Sequence, residues 1–231
     1  MRTGTWKSDD AMLSYFGRVN YALMDRYLLS ATVRTDGSSK FGKDNRWGWF
    51  PSVSGGWRIS EEPFIKGRAN WLNQLKIRGS YGITGTNAIT NYANTDLLDP
   101  SPYILGAGNG SVSVGLANNS TTLGNTALQW EQTSEYNLGL DISILNSRVG
   151  ITFDYYYAIT KSLLYEKTIN SIAGYNKAWT NEGKLRNRGV EIELTTYNFN
   201  KRNFKWNTSL NFSLTRSRAL PEHCPSAKAS T

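Results

Sequence analysis

Polar and apolar residues alternate with a period of two along about eight stretches of this chain, which marks them as strands. In residues 13–22, Leu13, Tyr15, Gly17, Val19 and Tyr21 share one face, and Ser14, Phe16, Arg18 and Asn20 share the other. Residues 27–35 repeat the pattern, with Tyr27, Leu29, Ala31 and Val33 against Leu28, Ser30, Thr32 and Arg34. Further strands are predicted at about 52–59, 75–84, 130–144, 148–157, 188–197 and 204–214. The connections between them read short, long, short, long, short, long, short. The long ones are rich in Gly, Asn, Asp, Ser and Thr, as turn chemistry requires, and cover about residues 36–46, 85–129 and 158–185. The short connection at 60–73 has helical character, with Ser60 as a cap, Glu61 and Glu62 in the first turn and Pro63 early.

Short turns at one end of the strands and long loops at the other are the signature of an antiparallel up-and-down transmembrane β-barrel, in which alternate residues face lipid and lumen. Strands near ten residues suit a tilted crossing of the hydrocarbon. A soluble sandwich shares the alternation but does not require the loops to lengthen on one side only. No run approaches the roughly 18 apolar residues of a membrane helix. The mean hydropathy of −0.47 fits a barrel, because only every second residue meets lipid. Aromatics make up 13% of the chain, with 13 Tyr and 8 Trp, enough to supply interfacial girdles. Trp47, Trp49 and Trp57 are expected at the outer interface or on the lipid face. The charge of +8 is scattered over strand ends and polar faces rather than gathered in a phosphate-binding stripe, so no nucleic-acid partner is expected.

Several motifs carry a more specific likeness. They are Tyr15-Phe16-Gly17-Arg18-Val19-Asn20-Tyr21, Arg34-Thr35-Asp36-Gly37-Ser38-Ser39-Lys40-Phe41-Gly42 and the stretch from Arg46-Trp47-Gly48-Trp49-Phe50-Pro51 to Trp57-Arg58-Ile59-Ser60-Glu61-Glu62. Leu75-Lys76-Ile77-Arg78-Gly79-Ser80-Tyr81-Gly82, Asn137-Leu138-Gly139-Leu140-Asp141 and Asn187-Arg188-Gly189-Val190-Glu191 continue the series. Together they resemble the barrel of SusC/RagA-type TonB-linked outer-membrane proteins over about residues 13–216. The resemblance implies a transporter of Bacteroidetes-type outer membranes that imports oligosaccharides or peptides beneath a SusD-like surface lipoprotein and is energised through the TonB complex. It also implies a barrel of about 22 strands around a plugged lumen. Against that pattern the chain shows no plug, TonB box or apolar leader, so residues 1–12 read as the start of a fragment and 13–216 as part of a barrel. Residues 217–231 read as neither strand nor family. An open sheet of eight strands has unpaired edges, which lipid does not tolerate, so the segment alone is not expected to transport.

No catalytic constellation is visible, and no enzyme activity, cofactor or metal site is expected. Glu191 and Glu193 share a polar strand face, a pattern that acid/base pairs and charged lumen walls both show. The glycines of 79–85 lack the Gly-Lys-Ser/Thr of a phosphate loop. Cys224 and His223 are the only residues of their kinds, which excludes an internal disulfide and argues against His-based sites. Loop aromatics are the candidates for stacking on sugar rings or peptides, namely Tyr92, Tyr103, Tyr175 and Trp179, with loop packing as the alternative. Two other functions remain open: a soluble or surface glycan-binding β-domain, and a small self-contained outer-membrane barrel.

Overall fold

The computed structural model describes residues 8–96, 98–104, 112–118, 122–170 and 175–220, with the backbone alone considered at 98–104 and 112–118. Its long strands are β1 (Met12–Leu23), β2 (Tyr27–Ser38), β3 (Trp47–Arg58), β4 (Leu72–Thr86), β8 (Glu131–Ile144), β9 (Val149–Lys161), β12 (Lys184–Lys201) and β13 (Phe204–Leu220). The shorter β5 (Leu98–Ile104), β6 (Val112–Asn118), β7 (Thr122–Leu123), β10 (Leu164–Thr168) and β11 (Lys177–Asn181) sit inside the long loops. The eight long strands form one antiparallel sheet in the order β1-β2-β3-β4-β8-β9-β12-β13, with β1 and β13 at its edges. A β5-β6 hairpin and a three-stranded β10-β11-β7 sheet lie apart from it.

The register turns period-two patterns on separate strands into continuous faces. One row runs Tyr21–Leu29–Gly55–Gly79–Leu138–Tyr155–Val190–Leu214 across the whole sheet. The neighbouring row on the opposite face runs Asn20–Ser30–Ser54–Ser80–Asn137–Tyr156–Gly189–Thr215. A slip of one residue on any strand would break both rows. Along β2 the apolar Tyr27, Leu29, Ala31 and Val33 are exposed, while Leu28, Ser30 and Thr32 are half-buried. The sheet is therefore inside out: Val19 is 69% exposed, Leu138 56% and Leu214 63%. In water this would forfeit about 25 cal/mol for every Å² of apolar surface left uncovered. A soluble sandwich would bury this face. A membrane wall presents it to lipid.

Aromatic side chains mark the two ends of the outward face. Trp47 stacks on Tyr15 at 6.0 Å on the long-loop side, and Trp57 stacks on Tyr27 at 6.3 Å on the short-turn side. Trp47 and Trp57 bracket β3, and the span between them is the nine to eleven residues, roughly, that a tilted strand needs to cross the hydrocarbon. The outward positions expected for Trp47, Trp49 and Trp57 agree with their exposure.

The short connections are tight. Met24 and Asp25 both have positive φ, of 52° and 54°, and Arg26 N–H donates to Leu23 O at 3.0 Å. This type I′ geometry matches the twist of the flanking strands. At 60–73 the expected helix is reduced to a single 3₁₀ turn (Ile59–Glu61) followed by irregular turns. Pro63 offers no N–H, and Gly67 takes φ +81°, so a regular helix does not propagate. Several strands overrun their sequence boundaries on the loop side. β13 continues to Leu220, past the strand end expected at 214 and into the stretch from 217 that does not read as strand in the sequence, because Arg216, Ser217, Arg218, Ala219 and Leu220 all keep partners on β12.

Candidate functional site

The inward face carries the chemistry of the lumen wall. Apart from the Arg34–Asp36 pair on β2, most of its charges are segregated. Arg18, Lys76 and Arg78 stand on β1 and β4, and Glu135, Asp141, Asp154, Glu191 and Glu193 stand on β8, β9 and β12. At the seam, Arg78 donates to Asp141 at 3.3 Å and to Asp154 at 2.5 Å, with Lys76 3.8 Å from Asp141. Asp154 is two strands away from Arg78. The guanidinium reaches it by lying over Gly139, where a Cβ would come within 2.5 Å of Arg78 Cζ. The same device recurs one row higher. Tyr156 lies over Gly189, where a Cβ would meet its hydroxyl at 2.6 Å, and bonds Thr215 at 2.7 Å on the strand beyond. Glycine within a strand marks such a close approach. Thr152, Asp154, Glu191, Glu193, Asn211 and Ser213 line a shallow depression of about 310 Å³, so the two glutamates belong to a charged lumen wall. Asp154 Oδ1 is buried without a hydrogen-bond partner.

The outer loops behave differently. Phe41, Phe50, Ile89, Ala93, Leu128 and Trp130 form a buried cluster, with Phe41 and Leu128 at 0% exposure. Trp130 packs on Phe41 at 5.2 Å and on Phe50 at 5.4 Å, and its indole N–H donates to Arg46 O at 3.0 Å. Above the last pair between them, Ser52 with Gly82, β3 and β4 diverge, and the Phe50 ring fills the space that a Cβ at Gly48 or Gly85 would need. Lys40 Nζ donates to Ile89 O at 2.9 Å, tying the first long loop to the second. The third joins through Asn181, whose side chain exchanges hydrogen bonds with the Gln129 backbone at 2.8 and 2.7 Å. On this third loop Glu182 is held below the usual carboxylate range by Lys167, which is itself raised by the same pairing at 2.9 Å.

The four aromatic candidates are distributed over this platform. Trp179 packs against the loop core, with its indole nitrogen buried and unpaired and its backbone O accepting from Asn125. Tyr175 is buried at 8% exposure. Tyr92 is 43% exposed, takes φ 64°, and its hydroxyl accepts from the Asp9 N–H at 3.5 Å. Tyr103 lies on β5, and its side chain, like His223 and Cys224, falls outside the described residues.

Sequence reasoning missed Glu62. It is 6% exposed at the short-turn end and accepts from Tyr27 O–H at 2.8 Å, Trp57 N–H at 2.9 Å and Arg26 at 3.3 Å. Those donors, Trp57 first, hold its carboxyl below the usual range. Glu61 is lowered by Lys66, 2.8 Å away. Glu62 thus pins the 59–71 connection to the girdle aromatics Tyr27 and Trp57, and Glu61 ties Lys66 back within it.

Comparison with known proteins agrees with this geometry. The family model described as TonB dependent receptor-like, beta-barrel, matches residues 3–228. The chain is 36% identical to TonB-dependent receptor P39 of Formosa agariphila over 218 residues, 94% of this chain and 20% of that protein. It is 39% identical to TonB-dependent receptor SusC of Bacteroides thetaiotaomicron over 207 residues, 87% of this chain and 20% of that protein. A solved structure of the RagAB peptide transporter superposes with a TM-score of 0.81 at 32% identity, covering 91% of this chain and 22% of that one. The siderophore receptor PirA of Pseudomonas aeruginosa shares the fold, with a TM-score of 0.57 at 16% identity. The chain thus spans about a fifth of the length of the curated relatives it matches. With an apolar outward belt, a charged inner wall and the SusC/RagA-type resemblance borne out, it belongs to the TonB-dependent receptor-like β-barrel family and forms part of an outer-membrane barrel wall.

Proposed function

We propose that these eight strands are one sector of the wall of a TonB-dependent importer of oligosaccharides or peptides that works with a SusD-like surface lipoprotein. The observation that carries this reading is the inside-out sheet, whose outward row is apolar while its inward row is polar and charged. Likeness to SusC and to a RagAB peptide transporter supports the substrate classes and the lipoprotein partner. In the described sheet β1 and β13 are not paired with each other. Lipid does not tolerate such edges, so transport belongs to a barrel closed by further strands. The TonB complex would act on that whole barrel, and no catalytic step is assigned to the residues of this wall. Tyr92 is the loop aromatic best placed to stack on a substrate, because it is exposed.

The test is uptake in cells expressing the intact barrel. Deleting its gene should abolish TonB-dependent import of one class of oligosaccharide or peptide, and Tyr92→Ala should weaken that import. Unchanged import of both classes in the deletion strain would contradict the reading.

A further inference from the structure

Four arginines stand in a block on the outward face of β12 and β13. Arg188 lies directly opposite Arg216, and Arg186 directly opposite Arg218. Lys184 and Lys161 face each other in the next row toward the loops. All occupy the outward register, because Val190–Leu214, Ile192–Phe212 and Leu194–Leu210 continue the same rows toward the short-turn end. Like charges directly opposite one another on a sheet are destabilising. Yet none of these six side chains has an ion-pair or hydrogen-bond partner among the described residues. Arg188, Arg216, Arg218, Lys161 and Lys184 are exposed.

The height of the block identifies what it faces. The apolar outward run begins at Val190 and reaches the aromatic Phe199, stacked on Trp206 at 5.9 Å. That interval is about the nine to eleven residues of one hydrocarbon crossing. The arginines therefore begin where the hydrocarbon ends on the long-loop side, at the level of the outer-leaflet headgroups. Tyr157 stands beside Arg188 in the same row, as an interfacial aromatic. Guanidinium groups suit phosphate because their planar fork donates two parallel hydrogen bonds to its oxygens.

We propose that this block binds the phosphorylated headgroup of an outer-leaflet glycolipid. The bound phosphates neutralise the opposed arginines and fix the lipid to this sector of the barrel. The proposal rests on the membrane placement of the sheet and is independent of the import reading.

The test uses the whole barrel that carries this segment, purified in detergent and examined by native mass spectrometry with added lipid. The probes are diphosphorylated lipid A, its phosphate-free form, and inorganic phosphate. Wild type should retain the diphosphorylated lipid and lose most adducts with the phosphate-free form. The variant R186Q/R188Q/R216Q/R218Q should lose more than about tenfold in occupancy, since each basic side chain near an anionic surface contributes on the order of fivefold. R188K should keep most of the binding and R18Q, on the lumen wall, all of it. Heat-modifiable gel mobility identifies barrels that have folded, and only those are scored. Equal retention of both lipids, unchanged binding by the folded four-residue variant, or displacement of the lipid by millimolar inorganic phosphate would overturn the proposal.

Discussion

The membrane-spanning sheet and the outer loop platform solve opposite problems with the same chain. In the sheet, Leu138 and Leu214 are more than half exposed, and the polar Asn137 and Thr215 look inward. In the platform, Phe41, Leu128 and Trp130 are buried, as in any water-soluble domain. The difference lies in the solvent. Lipid removes the penalty for exposed apolar side chains, so the sheet is held by its backbone ladder and by inward polar contacts. Water surrounds the loops, so they bury apolar side chains and tie three separate segments together. The sheet is specified by register and the platform by packing.

The largest effect expected from breaking this contrast is in the platform. Trp130→Ala removes the ring between Phe41 and Phe50 and should cost about 3–5 kcal/mol of local stability, read as faster proteolysis or hydrogen exchange in the 36–46 and 85–129 loops with the sheet unchanged. In the sheet the order of tolerance reverses. Leu138→Lys on the outward face should cost roughly 2–4 kcal/mol in a bilayer, whereas Asn137→Lys one residue away should be nearly neutral, as measured by urea unfolding of the reconstituted barrel. Gly189→Ala should cost about 1–3 kcal/mol, because the new methyl meets the Leu214 carbonyl oxygen at 2.7 Å and that backbone is fixed by the ladder. Gly139→Ala should cost less, since the obstructing Arg78 side chain is flexible, and it should uncouple Arg78 from Asp154.

The smallest effect is at the short-turn rim and depends on pH. Glu62 has a folded-state value below its ordinary 4.5, so its contribution is present above that value and is lost as pH falls through the lowered one. Protection of the amides in the 59–71 connection, relative to their intrinsic exchange rate at each pH, should therefore fall in wild type as pH drops below the ordinary carboxylate value. Glu62→Gln should remove the part of this dependence due to Glu62 and leave only that due to Glu61.

Most of the sheet was legible in the sequence because period-two alternation survives on every strand, and the loop-length rhythm assigned each connection to its side. Strand ends on the loop side were less legible. Arg216 and Arg218 do not look like strand residues until β12 supplies their partners. The helix expected at 60–73 failed because capping and acidic first-turn residues also suit a 3₁₀ turn, and Gly67 diverts the chain beyond it. The loop core left a weaker trace. Phe41, Ile89 and Trp130 come from segments about forty residues or more apart in the chain, and no local period links those segments. Among the aromatic candidates, burial separates Tyr175 and Trp179 from exposed Tyr92, which composition could not do. Gly139 and Gly189 carried a readable signal, a glycine at an inward strand position, whose meaning needed the long side chain on the neighbouring strand.

The direction in which β8 faces separates a lipid-facing wall from a buried core, and labelling at single cysteines reads it directly. In the whole barrel, with Cys224→Ser as background, single cysteines at Glu135, Asn137, Leu138 and Leu140 are given a nitroxide label in detergent before reconstitution in liposomes. Dissolved oxygen, which concentrates in the bilayer, should relax the labels at 138 and 140 most strongly, and a water-soluble nickel chelate those at 135 and 137. If the labels at 138 and 140 are shielded from both relaxants, as in a buried core, the inside-out wall is contradicted.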